Sequence, residues 1–233
     1  MRWAGGLLAA TLSAELLLNG ARMAAVSSTA GLAFIAEIFG TQWCRLWVAR
    51  CAGLAVLLRL PVGGRPSAVL AAFWLSLRSA QGHPGAHGLF PAAIDWVHLL
   101  AAVSWIGSLF QLAMIRGPTP PRIAARVRRL ATISVAALVP AGLYGAVLHI
   151  PSLDRLVNSP YGRTLLVKLS LAAVLLALGA ANHFRYVPVL LRHGDSAANQ
   201  RLRRVVRWEV VIAALVILMS ALLGVLPMPH GMP

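Results

Sequence analysis

The sequence predicts an all-α fold, a polytopic transmembrane helical bundle of about seven spans with eight as the alternative count, and three observations lead there. Of the 233 residues 59% are hydrophobic and only 12% charged, and the mean hydropathy is +0.76, well beyond the usual soluble domain. The apolar residues fall into runs of roughly 20, the length that crosses a hydrocarbon core about 30 Å thick at about 1.5 Å per residue. The formal charge of +15 sits mostly on arginines in the short connections between those runs. That placement follows the positive-inside rule, so the lipid bilayer is the expected partner and nucleic acid is not.

In chain order, residues 3–21 form the first span behind Arg2. Nothing like A-x-A ends this run, so it reads as a signal anchor and not as a cleaved signal peptide. Residues 23–40 are apolar but rich in small residues and carry Glu37, which favours a helix in the outer interface over a second span. Residues 1–40 are thus one N-terminal segment and 41–233 the main transmembrane domain. TQWCRLWVAR, residues 41–50, leads into a span ending near Leu60, where RLPVGGR makes a turn punctuated by proline and glycine. Cys44 and Cys51 lie two turns apart on this helix, roughly 10 Å, too far for a disulfide, and read as apolar residues. A shorter span covers about 66–81, and the polar loop AQGHPGAHGLFP follows it. Further spans are expected at about 95–115, 129–150, 163–184 and 206–226.

Arginine counts orient the bundle. The connections 116–129 and 185–207 hold five and six arginines and lie on one side by alternation, whereas 151–162 holds only Arg155, balanced by Asp154. The basic loops should face the cytoplasm, which puts the loop at 82–92, the loop at 151–162 and the C-terminal tail on the outer side.

The helix that opens DWVHLLAAVSWIG, residues 95–107, is the centre of the chain. Asp95 and His98, then His98, Ala102 and Trp105, follow steps of three and four, so one helix face carries an acid, an imidazole, a small residue and an indole. A titratable ring there must face a partner or a wet cavity, unless it merely bonds a neighbouring carbonyl at the helix end. The topology collects further histidines at the same depth: His83 and His87 in the outer loop, His149 at the outer end of its span, and His230 in the tail between Met228 and Met232. Imidazole with thioether suits copper, methionine favouring Cu(I) and histidine serving either oxidation state. Loop histidines without any chemical role are the competing account.

The order of motifs GHPGAHG, HLLAAVSWIGSL, AGLYGAVLHI, SPYGRTLLVKL, ANHFRYVPVL and RLRRVVRWEVVIAALVILMSALLGVLPMP resembles the copper resistance protein D (CopD) family of bacterial inner-membrane proteins. The resemblance covers roughly residues 41–229 and is most specific in SPYGRTLLVKL with the downstream Asn182 and Glu209. It implies a copper-handling protein of the inner membrane, by uptake or transfer of copper from the periplasm alongside a periplasmic copper carrier. Two departures stand out: Cys44 occupies a position where that family commonly has glycine, and the N-terminus is one span short.

Within the matched blocks, Lys168 lies about a turn and a half inside its span, where snorkelling competes with a functional role. Tyr161 and Tyr144 read as interface aromatics. Glu209 follows Arg203, Arg204 and Arg207, which suggests a cytoplasmic salt bridge; with Asn182 and His183 it could instead form an exit site or proton relay. No hydrolase triad, phosphate-cradling loop or ATP-binding motif is present, so a non-enzymatic protein is expected. The alternative is a haem-binding redox protein, because a histidine followed seven residues later by tryptophan and then glycine also resembles the membrane family that oxidises protoporphyrinogen. His98 and His149 would then be the axial ligands.

Overall fold

The computed structural model describes residues 2–25, 31–61, 64–82, 88–149, 152–193 and 196–226. Every regular element among them is helical: α1 (Arg2–Ala24), α2 (Leu32–Gly40), α3 (Gln42–Leu57), α4 (Arg65–Gln81), α5 (Leu89–Met114), α6 (Pro121–His149), α7 (Leu153–Asn158), α8 (Pro160–Ala181), a π turn (Asn182–Tyr186), α9 (Val187–His193) and α10 (Ser196–Val225). Four helical stretches among the described residues are long and apolar enough to cross a membrane: Leu89–Met114, Pro121–Leu148, Pro160–Arg192 and Ser196–Gly224. The chain is a membrane protein. Of the other expected spans, α1 is helical over 23 residues, while α3 and α4 have 16 and 17. At about 1.5 Å per residue those two rise some 24–26 Å, short of a full hydrocarbon core. With nine residues α2 is too short to cross.

The four spans expected from residue 95 onward fall on helical stretches that begin earlier than expected. α6 and α10 run on through the arginine-rich segments at 121–128 and 196–205, because arginine is a good helix former and its head can stay in water while its stem covers apolar surface. α5 begins at Leu89 rather than beside Asp95; Pro91 in its first turn has no intrahelical N–H partner to lose.

The described residues form two compact units, 1–96 and 97–233, with the boundary inside α5. In the first, polar side chains satisfy groups between apolar helices. Thr41 caps α3, its Oγ1 accepting from the Cys44 amide at 3.1 Å, and the Trp47 indole donates to the Leu12 carbonyl of α1 at 2.9 Å. The Trp74 indole donates to the Arg50 carbonyl at 2.8 Å, and the Gln81 amide to the Trp43 carbonyl at 3.1 Å. Arg50, 3% exposed, donates to Glu15 at 2.6 Å and to Gln81 Oε1 at 2.5 Å, so one guanidinium ties α1, α3 and α4 together. Cys44 is buried, Cys51 half-buried, and both are free thiols.

In the second unit α8 and α10 pack along their length and three apolar layers fill the interior. Tyr161, Leu165 and Leu223 form one, Trp105, Leu109, Leu175 and Ala213 the next, and Leu112, Ala124, Val187, Leu190, Leu202 and Val206 the third. Ser159 caps α8 by accepting from the Gly162 amide at 2.9 Å, and Pro160 fills the first turn. A Cβ on Gly162 would stand 2.6 Å from the Leu156 carbonyl carbon, so only glycine lets α7 fold back onto α8. At the other end the segment after α5 turns at Gly117, whose φ is +94°, and is held to α10 by Arg203 donating to the Gly117 carbonyl and by the Thr119 amide donating to Asn199 Oδ1 at 3.2 Å.

Candidate functional site

The buried stripe of α5, Ala101, Trp105, Ser108, Leu109 and Leu112, advances by the three- and four-residue steps that the sequence places beneath His98. His98 rests on α6: a Cβ on Gly142 would lie 3.2 Å from its Cε1 and 3.5 Å from its Nδ1, so the imidazole occupies the space that a glycine leaves open. Two turns on, Trp105 does the same against α8. A Cβ on Gly179 would lie 3.1 Å from the indole Cζ2 and 3.4 Å from Glu209 Oε1, which brings indole and carboxyl to one glycine.

Glu209 is fully buried. It lies on the α10 stripe Leu202, Val206, Glu209 and Ala213, and its Oε2 accepts from Asn182 Nδ2 at 2.5 Å. Its Oε1 and the Asn182 Oδ1 are both buried without a hydrogen-bond partner. The expected salt bridge to Arg203, Arg204 or Arg207 does not form among the described residues; those arginines precede Glu209 by six, five and two positions, and none of these steps shares its helix face. Asn182 opens the π turn, a local widening frequent at functional sites. Its neighbour His183 contacts Arg128 at 3.4 Å through Nε2 and Thr132 Oγ1 at 3.4 Å through Nδ1. A cavity of about 40 Å³ joins these groups, with Trp105, Gly179, Asn182, His183, Arg128 and Glu209 in its wall.

Of the residues singled out in the sequence, the structure therefore brings Trp105, Asn182 and Glu209 to one place and seats His98 two turns along α5. Asp95 and Lys168 are half-buried, and Tyr161 is buried in the layer with Leu165 and Leu223. His83, His87, Met228, His230 and Met232 lie outside the described residues, as does the side chain of His149, whose backbone closes α6. Among the described residues no three histidine, cysteine, aspartate or glutamate side chains gather as a metal cluster. Gly142, Gly179, Arg128 and Thr132 were not anticipated. The glycines had a signal, since each interrupts an apolar run where alanine or leucine would be the better helix former.

Residues 121–223 match the family model described as copper resistance protein D, CopD. Among curated proteins, the chain is 31% identical over 144 residues to "Copper transport protein CutJ" of Bacillus subtilis (strain 168), a match covering 58% of this chain and 25% of that protein. It is 26% identical over 211 residues to "Copper resistance protein D" of Pseudomonas syringae pv. tomato, covering 80% of this chain and 68% of that one. The chain thus spans a quarter of the Bacillus relative and about two thirds of the Pseudomonas one. No solved structure matches significantly.

Proposed function

We propose that this chain, whose residues 121–223 match the copper resistance protein D family model, takes copper from the outer side of a bacterial inner membrane and passes it inward, with His98 as the central ligand. The observation that carries this reading is the seat of His98, an imidazole on a membrane helix held against a glycine of the next one. A neutral imidazole nitrogen is a good donor for copper in either oxidation state, and few other side chains offer one at that depth. Gly142 and His149 are seven residues apart on α6, a two-turn step that returns to the same helix face, so His149 is the second ligand proposed. His83 and His87, with Met228, His230 and Met232, would collect the ion before it reaches His98, Met228 and Met232 favouring Cu(I). A periplasmic copper carrier is the proposed donor. With no nucleotide-binding motif in the chain, the gradient, the membrane potential or ion exchange would drive the movement.

Copper accumulation in cells expressing His98→Ala at matched membrane abundance tests the proposal. The variant should lose copper-dependent accumulation, His149→Ala should come close to it, and single alanine changes at the outer loop and tail should weaken it only in part. Wild-type accumulation by His98→Ala would remove α5 from the path. A Soret band in purified wild-type protein that disappears in the same variant would replace copper by haem at this position.

A further inference from the structure

We infer that Glu209, Asn182 and the cavity beside them form a proton-binding site, in which the Glu209 carboxyl cycles between acid and carboxylate. Its coupling to copper movement rests on the function proposed above; the proton site itself does not. Glu209 is completely buried in a helix long and apolar enough to cross a membrane, and its carboxyl receives one hydrogen bond, from Asn182. An ionised carboxylate accepts at both oxygens, yet Oε1 has no partner. A charge so sparsely solvated is costly, and a carboxyl in that position takes up a proton instead. Asn182 adds a second deficit, because its Oδ1 is also a buried acceptor without a donor. The acceptors Oε1, Oε2 and Oδ1 are thus served by a single amide, and a proton on the carboxyl supplies a donor that the pair lacks.

The charged and titratable groups that face Glu209 are few. Across the cavity, α6 contributes Arg128 and the π turn contributes His183. The walls from α5 and α9 are Trp105, Leu109, Leu112 and Val187, and α10 itself adds Leu202 and Val206. Arg128 can only donate, so Nε2 of His183 accepts from it and the ring is neutral, with its proton on Nδ1 directed to Thr132 Oγ1. Neither group is within ion-pair distance of Glu209, so the carboxyl is not locked in its charged form. The cavity of about 40 Å³ exceeds the roughly 10–15 Å³ that one water requires, and His183 in its wall is only half-buried. A proton from bulk water enters on that side, forms an O–H bond at Oε1 and leaves the carboxyl neutral; release returns it to water and restores the carboxylate, with no electron transferred.

Infrared difference spectra of metal-free, purified protein across a pH step test the site directly. Wild type should show a buried carboxylic-acid carbonyl stretch that is present at acid pH, lost at alkaline pH and shifted in deuterium oxide, and Glu209→Gln should lack it throughout. Asn182→Ala, which removes the hydrogen bond to Oε2, should move the band without abolishing it, and serves as the test if Glu209→Gln fails to fold. A titrating band that persists unchanged in Glu209→Gln, one unmoved in Asn182→Ala, or no titrating band in wild type would each overturn the inference. Because no copper is present, none of these outcomes depends on whether His98 carries the ion.

Discussion

Replacing Arg50 by methionine, which keeps an unbranched stem and removes the guanidinium, should destabilise the first unit by about 3 kcal/mol. The guanidinium bonds Glu15 at 2.6 and 3.4 Å and Gln81 at 2.5 Å, and its carbon lies 4.8 Å from the Trp74 ring centre. Removing one member of a buried ion pair costs about 3–5 kcal/mol, because the other charge stays behind without its partner. The lower end applies, since the Glu15 side chain is 33% exposed and Arg78 Nε, at 3.8 Å, still offers partial compensation. Loss of the cation–π contact contributes about 0.5–1 kcal/mol, while the retained stem saves packing. Arg50→Lys should cost less, on the order of 1–2 kcal/mol, because the charge survives but the fork that bonds Glu15 and Gln81 together does not. The double variant Arg50→Met with Glu15→Leu removes both charges and should recover much of the loss. Equilibrium unfolding in mild detergent by circular dichroism, run as a double-mutant cycle, measures all three. If Arg50→Met costs less than about 1 kcal/mol, or the double variant is the least stable of the set, Arg50 is not the tie between α1, α3 and α4.

Gly162→Ala should lower the stability of the second unit by about 1–3 kcal/mol, since the new methyl group meets the carbonyl of Leu156 at the α7–α8 reversal; an unchanged unfolding midpoint would refute the close approach. Gly142→Leu fills the seat of His98, where even a Cβ lies 3.2 Å from the ring, and should reduce copper accumulation nearly as far as His98→Ala at equal membrane abundance, with Gly142→Ala intermediate. Full accumulation by Gly142→Leu would mean that the ring position does not matter.

The positions of the helices were legible because apolar runs of spanning length leave little choice of backbone: in lipid every amide must bond within its own helix. Helix ends were less legible, because the arginines of 121–128 and 196–205 mark the edge of the apolar run without ending the helix. In TQWCRLWVAR the sequence showed a motif without its roles; Thr41, Trp47 and Arg50 turn out to cap α3, bond α1 and pair with Glu15. Glu209 is the more instructive residue. Its nearness in sequence to three arginines suggested a salt bridge, but the periodicity of α10 already placed it with Leu202, Val206 and Ala213 and away from all three. Its bond to Asn182, 27 residues away, depends on how α8 packs against α10, and the π turn at Asn182–Tyr186 has no sequence signal of its own.

The family match begins at Pro121, yet the site beside Glu209 is not complete within 121–223. Trp105, Leu109 and Leu112 of α5 wall the cavity beside Glu209, and the Trp105 indole is seated on Gly179 inside the matched region. His98 likewise uses Gly142 of that region as its seat. α5 therefore brings an imidazole and an indole, two turns and about 10 Å apart, to glycines on two different helices, α6 and α8. The indole lies on the same α5 stripe between the imidazole and the carboxyl's cavity. A cation at His98 and a proton at Glu209, as proposed above, would therefore occupy separate places without a shared ligand, and α5 is an element common to both.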